Sequence, residues 1–174
     1  MRYFLLEQDE DFSDVPYVKS WPEKFDVRKI KQNQSYRLPR RVLLEIHSNE
    51  HTVFSDVIVK PFLLFSNTAR ETVSIYESRI PYKQVVLLDV EYGLTSIYFL
   101  PVLETVDCLS PKSELNPGRT VIRHAIIEAL KLPDRSIFKL GNTKGTHIVV
   151  RLDLAESLLR RNVRGINFRE IEVA

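Results

Sequence analysis

The sequence predicts one α+β domain, built on a mostly antiparallel sheet with two or three packed helices. Two β-branched and aromatic segments, 84–90 and 95–103, flank a short turn and predict a hairpin. Helix start signals occur near Ser66 and at Asp153. With 174 residues, 44% of them hydrophobic, the chain can fill a single core, so we assign residues 1–174 to one domain.

The amino-terminal part begins with a predicted strand at residues 2–6. A long irregular excursion follows over residues 8–39, which are polar and interrupted by prolines. Its aromatic residues indicate that it packs against the domain, because disordered linkers are poor in such side chains. These aromatic residues are Phe12, Tyr17, Trp21 and Phe25. The apolar segment 42–46 fits a buried strand or a short helix, since so few residues do not separate the two periods.

A helix is predicted from Ser66 to Pro81. Thr68 and Glu71 have the spacing of a capping box, and apolar side chains then recur every three or four residues. The pattern stops at Pro81, where an amide donor is missing. The predicted hairpin of residues 84–103 follows directly.

The segments after the hairpin alternate between loops and strands. Residues 110–118 are predicted to be a loop by their Pro, Gly, Ser and Asn content, and residues 120–132 fit either a strand or a helix. Residues 136–140 and 146–152 are strand candidates on either side of a turn, 141–145, that begins and ends with glycine.

The last helix has the strongest local signals in the chain. Asp153 is the expected N-cap, Glu156 lies three residues further on, and two arginines near the end complement the helix dipole. Gly165 is placed to terminate the helix. Residues 166–173 then alternate imperfectly, as a final strand with a bulge would.

Charge and cysteine content narrow the function classes. The net charge is +2, and basic and acidic residues are interspersed, which does not favour binding to nucleic acid. Cys108 is the single cysteine and fits a reducing compartment, so we expect a cytoplasmic protein. The apolar start, residues 1–6, is too short for a signal peptide. No segment approaches the roughly 20 apolar residues of a membrane helix.

One motif points to an enzyme. Residues 47–51, HSNEH, match the H-x-x-E-H pattern of inverted zinc metallopeptidases. In that chemistry His47 and His51 bind zinc from one side of a helix, and Glu50 activates the bound water. The β-prone residues that follow favour an exposed turn between strands instead. A zinc-dependent hydrolase is therefore the alternative function, and it requires a helix over residues 42–52.

The other reactive side chains do not indicate catalysis. Cys108 has apolar neighbours, where a thiol is usually inert. His124 and His147 each stand alone in the sequence, and the segment 141–145 lacks the spacing of a phosphate-binding loop. We therefore expect a protein that is not an enzyme and that uses no cofactor.

The carboxy-terminal half resembles an immunity-protein family of bacterial polymorphic toxin systems, first described from a myxobacterial protein and formerly a domain of unknown function. The segments that carry the resemblance, in the family's order, are Ile97-Tyr98-Phe99, Val106-Asp107-Cys108-Leu109, Ser113-Glu114, Ile137-Phe138-Lys139-Leu140, His147-Ile148-Val149-Val150 and Arg164-Gly165-Ile166-Asn167-Phe168. They cover roughly residues 95–172. The resemblance implies a cytoplasmic protein, encoded beside a toxin, that protects its producer by binding the toxin.

We therefore expect the chain to bind and occlude a cognate toxin. Aromatic and arginine side chains are the usual anchors of protein interfaces, and we select Tyr17, Trp21, Arg40 and Arg41 as candidate partner-binding residues. A homodimer through an exposed sheet edge stays open as an alternative assembly. Clustered arginines such as those at 160–164 support a third function, a nucleic-acid accessory protein, which predicts salt-dependent binding.

Overall fold

The computed structural model describes residues 1–12, 14–19, 21–24, 26 and 30–174. The described strands, in chain order, are β1 (Tyr3–Gln8), β2 (Tyr17–Val18), β3 (Arg41–His47), β4 (Val57–Ile58), β5 (Leu64–Phe65), β6 (Tyr82–Asp89), β7 (Leu94–Pro101), β8 (Thr105–Val106), β9 (Glu114–Leu115), β10 (Ile122–His124), β11 (Ile126–Ile127), β12 (Ile137–Leu140), β13 (Ile148–Arg151) and β14 (Ile166–Val173). The helices are α1 (Trp21–Lys24), α2 (Asn67–Tyr76) and α3 (Leu152–Arg160), with 3-10 turns at Gln32–Arg37 and Ala129–Lys131. The predicted α+β class is confirmed.

The first sheet joins the two ends of the chain. Its strand order is β11-β14-β1-β13-β12-β8, so the amino-terminal strand lies between two carboxy-terminal ones. β1 is antiparallel to both neighbours, with Leu5 opposite Val149 on one side and Arg169 on the other. The pairing of β1 with β14 runs without a register shift, so the expected bulge is not found there. The predicted strands at 2–6, 136–140 and 146–152 are confirmed, with shifted ends.

The second sheet has the order β2-β3-β6-β7-β5-β4. The predicted hairpin is confirmed as β6 and β7, which pair from Tyr82 opposite Pro101 to Asp89 opposite Leu94. The ambiguous segment 42–46 is a strand, and it pairs with β6 in parallel. Two other described pairs, β8–β12 and β11–β14, are also parallel. The remaining pairs are antiparallel, in keeping with a mostly antiparallel architecture.

Helix α2 begins where the sequence predicts but ends earlier. Ser66 is its N-cap, and the Ser66 hydroxyl accepts the Ala69 backbone N–H at 3.2 Å. The predicted capping box is therefore wrong, because Thr68 lies inside the helix. Glu77 leaves the helical conformation, and its carboxylate accepts the Ser136 backbone N–H at 2.5 Å. This tertiary contact lies where the helix stops, four residues before Pro81.

Helix α3 differs from the prediction at both ends. Arg151 is the N-cap residue, and Asp153 lies in the first turn with its carboxylate 2.8 Å from the Arg151 guanidinium. At the other end Asn162 adopts a positive φ of 53°. The backbone N–H groups of Asn162 and Val163 bond to the carbonyls of Leu159 and Leu158, which is a Schellman motif. The helix therefore ends at asparagine, and Gly165 lies beyond it.

Three apolar clusters hold these elements together. The first lies between the two sheets and includes α2 and α3. The second covers one face of the second sheet, and the third covers the far face of the first sheet. The excursion contributes Val18, Leu38 and part of Trp21 to the second cluster, so its predicted packing is confirmed there. Phe25 lies outside the described residues. None of the helices in the described part of the chain is long and apolar enough to span a membrane.

Candidate protein-binding face

One face of the second sheet is covered over only part of its width. Helix α2 packs over the β5 and β7 side, where Phe65 is fully buried and the Arg70 guanidinium lies 4.1 Å from the centre of the Phe99 ring. Strand side chains alternate between faces, so the register identifies the other residues on this face. We call them the open face: Tyr17, Lys19, Arg41, Leu43, Glu45, His47, Gln84, Val86, Leu88, Thr95 and Ile97.

An apolar row crosses the middle of the open face. Leu43 of β3 is the register partner of Val86 of β6, which is in turn the partner of Ile97 of β7. Leu43 is 47% exposed and Ile97 is 51% exposed, and Val86 between them is half-buried. Leu88 adds a fourth apolar side chain in the next row of the sheet. Large apolar side chains grouped in this way on a surface typically mark a site of interaction.

Polar side chains surround the apolar row. On one side, Arg41 and Gln84 are hydrogen-bonded to each other through their side chains. On the other side, Glu45 and Thr95 flank Leu88 in its row. An apolar centre with a polar rim is the usual anatomy of a protein interface. The open face therefore has the composition of a surface that binds a protein.

A buried carboxylate fixes the end of the sheet next to the open face. Asp89 is 3% exposed, and it accepts the backbone N–H groups of Ser48 at 2.9 Å, Glu91 at 2.8 Å and Tyr92 at 3.0 Å. The Ser48 hydroxyl also donates to it. These hydrogen bonds hold the pKa of Asp89 below its usual value, and the bond from the Ser48 hydroxyl has the largest effect. They tie the turn after β3 to the turn between β6 and β7.

The four predicted partner-binding residues do not lie together. Tyr17 is 73% exposed and lies opposite His47 at the edge of the open face, and Arg41 borders the apolar row. Arg40 is exposed just before β3. Trp21 is half-buried on the covered face, where its ring meets Phe62 edge to face at 5.7 Å. Their role in binding stays a prediction.

The zinc motif does not have the geometry that its chemistry requires. The helix expected over 42–52 in that function is wrong, because β3 occupies residues 41–47. A strand followed by a turn replaces it, since Ser48 is bound to Asp89. His47 is exposed on the open face, and Glu50 and His51 are exposed in the turn, 3.8 Å apart. No group of three metal-binding side chains occurs within the described ranges.

The remaining reactive side chains have structural surroundings. Cys108 is fully buried, and burial raises the pKa of its thiol to about 11, so it is protonated at neutral pH. His147 lies with Nε2 at 3.1 Å from the Thr120 carbonyl oxygen, and burial lowers its pKa. His124 is exposed and lies 3.2 Å from Glu172. Burial makes Cys108 part of the core, and the expected absence of catalysis by the three residues stays a prediction.

Sequence reasoning missed the centre of the open face, but one signal was present. Residues 85–88, Val-Val-Leu-Leu, are continuously apolar, so both faces of β6 are apolar. Val85 and Leu87 point into the second cluster, whereas Val86 and Leu88 lie on the open face. A strand that is apolar on both faces is expected to be buried on both. The sequence alone does not reveal that one face of β6 is only partly buried.

Comparisons with known proteins add no relative. No protein-family model matches the chain. No curated protein matches it either.

Proposed function

We propose that the chain binds another protein through the open face of the second sheet, and that it acts without catalysing a reaction. The observation that carries this proposal is the apolar row of exposed Leu43, half-buried Val86 and exposed Ile97. Burying apolar surface of this kind contributes about 25 cal/mol for each Å² removed from water. The centre of an interface supplies most of the binding energy, and the polar rim supplies specificity.

The partner we propose is a toxin that the chain neutralises by occluding it in the cytoplasm. This finer proposal rests on the resemblance of residues 95–172 to the immunity-protein family. The resembling segment includes β7, so Ile97 belongs both to the family-like sequence and to the apolar row. Tyr17 and Arg41 are the proposed anchors at the rim, because both are exposed beside that row.

Co-expression tests this proposal directly. Each gene next to the one that encodes this chain is expressed in a bacterial host, alone and together with the chain. We expect one product to stop growth when it is alone and to be harmless in the presence of the chain. The two proteins should then purify as a one-to-one complex in size-exclusion chromatography with light scattering.

Substitutions on the open face connect the rescue of growth to the surface. Leu43→Asp and Ile97→Asp introduce a charge into the centre of the interface, so we expect each to weaken the complex by about a hundredfold and to abolish rescue. Leu130→Asp is the matched control, because Leu130 is fully exposed in the 3-10 turn that follows β11 of the first sheet. Rescue that survives both open-face substitutions, or a neighbourhood without a toxic product, contradicts the proposal.

A further inference from the structure

The open face has the dimensions of a seat for one α-helix. Its floor consists of β3, β6 and β7, whose outer strands lie about 10 Å apart, and an α-helix with side chains is about 10–12 Å wide. Helix α2 borders the face on the β7 side, where the Arg70 side chain lies over the Phe99 ring. The seven residues of β3 extend about 20 Å, the length of a helix of about 14 residues.

The chemistry of the face also favours a helix over an extended peptide. An extended peptide binds a sheet by adding to an edge, where backbone N–H and C=O groups are free. The open face presents side chains, because the backbone groups of β6 are directed to β3 and β7. A segment that lies on these side chains must satisfy its own backbone hydrogen bonds, and a helix does so internally.

Charges at the two ends of the face are of opposite sign. Arg41 and Arg70 lie at the level of Gln84 and Phe99, with Arg40 just before them. At the other end Glu45 lies beside Leu88, and the two exposed turns tied together by Asp89 carry further acidic residues. These further residues are Glu50 and Glu91.

Two oppositely charged neighbours reduce this difference without reversing it. Glu71 lies 4.0 Å from Arg70 at the basic end. Lys19 is bound through its backbone N–H to the Glu45 carbonyl at 2.8 Å, at the acidic end. Among the described residues, the first end keeps a positive balance and the second end keeps a negative one.

We infer that the open face binds an amphipathic α-helix of a partner protein, with the carboxy-terminal end of that helix beside Arg41 and Arg70. A helix carries a partial negative charge at its carboxy terminus and a partial positive charge at its amino terminus, so this direction places each end against the opposite charge. Apolar side chains at positions i, i+3, i+4 and i+7 of the helix cover the row of Leu43, Val86 and Ile97. The inference rests on the proposed protein-binding function and adds the form and direction of the partner's segment.

Two displayed peptide libraries test both the helix and its direction. Each contains helices of about 14 residues with one randomised face; the first has glutamates fixed in the last turn, and the second has them fixed in the first turn. The full chain is the selection target, and affinities of selected peptides are measured by fluorescence anisotropy. We expect the first library to yield binders with apolar residues at the randomised positions and affinities about two- to fivefold tighter than those from the second. The ion pairs with Arg41 and Arg70 favour the first library, although glutamates in a last turn weaken a free helix.

Variants of the chain locate the binding and check its direction. Ile97→Asp should weaken the selected peptides by about tenfold or more, whereas Leu130→Asp should leave them unchanged. Arg41→Glu should reduce or reverse the preference for glutamates in the last turn. Equal affinities from the two libraries, no binders from either, or binding that is insensitive to Ile97→Asp overturns the inference. Dimerisation of the chain through this face, seen by light scattering and removed by Ile97→Asp, overturns it as well.

The result is separable from that of the co-expression experiment. If helical peptides bind the open face but no neighbouring gene product does, the proposed toxin partner is contradicted and the inferred helix binding is supported. A toxin whose binding requires Leu43 and Ile97, but whose bound segment is not helical in a structure of the complex, would remove the helix and keep the proposed function.

Discussion

The two six-stranded sheets differ in how completely they are covered. In the first sheet, Ile148, Val149 and Val150 follow one another along β13 and all are buried, since α3 packs on one face and the third apolar cluster covers the other. In the second sheet, β6 carries an equally apolar run, but only Val85 and Leu87 are buried. The same residue types therefore serve the core in one sheet and the surface in the other.

This contrast shows that the composition of a strand predicts which of its faces favour burial. It does not predict that another element actually packs on each apolar face. Burial is decided by elements that are distant in the sequence. Here α2 packs over β5 and β7, and its Arg70 side chain lies over the Phe99 ring. Leu43, Val86 and Ile97 lie beyond Arg70 and are only partly covered, so we expect substitutions there to affect the proposed binding more than folding.

Truncating one leucine in each sheet gives the largest test of this contrast. Leu140 of β12 is 1% exposed, and Leu140→Ala leaves a cavity, so we expect a loss of about 2–5 kcal/mol in the free energy of unfolding. Leu43→Ala on the open face should cost about 0.5 kcal/mol or less. Urea unfolding followed by circular dichroism measures both. A loss at Leu43 as large as that at Leu140 would show that the face is covered in the folded protein.

Substitution of two glycines gives a smaller effect on the free energy of unfolding. Gly165 lies against Ser55, whereas Gly93 lies in the open turn between β6 and β7. Gly165 has φ of 85°, and an added Cβ would lie 2.5 Å from the Ser55 Cβ, so we expect Gly165→Ala to cost about 2–4 kcal/mol. Gly93 has φ of 65°, and no described atom lies within 4 Å of an added Cβ, so Gly93→Ala should cost about 1–2 kcal/mol. Equal losses in urea unfolding would mean that the backbone conformation alone, and not the close approach of Ser55, sets the cost.

Local patterns were sufficient for the elements whose signals are local. The hairpin of β6 and β7, the start of α2 at Ser66 and the body of α3 follow from turn chemistry, capping and periodicity. The ends of the helices were less predictable, because a tertiary contact lies at the end of α2 and a local Schellman motif ends α3 earlier than expected. Glu77 ends α2 by binding Ser136, and Asn162 takes the left-handed position that Gly165 was expected to fill.

The candidate site was only partly predictable for a related reason. Tyr17 and Arg41 were selected because of their residue types, and they lie at its rim. Its centre depends on the parallel pairing of β3 with β6, and nothing in the segment 42–46 predicts that partner. Trp21 shows the opposite outcome: its residue type predicts an interface anchor, yet the chain turns its ring towards Phe62 and the core.

The smallest expected effect concerns stability at acid pH. It compares Asp89, at the turn between β6 and β7, with Asp107, beside the turn between β12 and β13. The pKa of Asp89 is lower in the folded protein than the usual value of about 3.9, so the unfolded chain binds its proton first as pH falls. The stability that Asp89 contributes is therefore complete above pH of about 4 and is lost as pH falls through the folded-state pKa. Asp89→Asn removes the charge that the N–H groups of Ser48, Glu91 and Tyr92 bind, so we expect lower stability at pH 7.

The pH dependence of the Asp89→Asn variant distinguishes this carboxylate from an ordinary surface one. The variant should lose less stability than the parent protein between about pH 5 and about pH 3, and the two urea midpoints should converge at the acid end of this range. Asp107→Asn is the matched control, because Asp107 is exposed beside Gly141 at the turn of the first-sheet hairpin. If Asp89→Asn and Asp107→Asn give parallel curves, the buried carboxylate does not hold the end of the second sheet, and the turns that carry Glu50 and Glu91 are not fixed beside the open face.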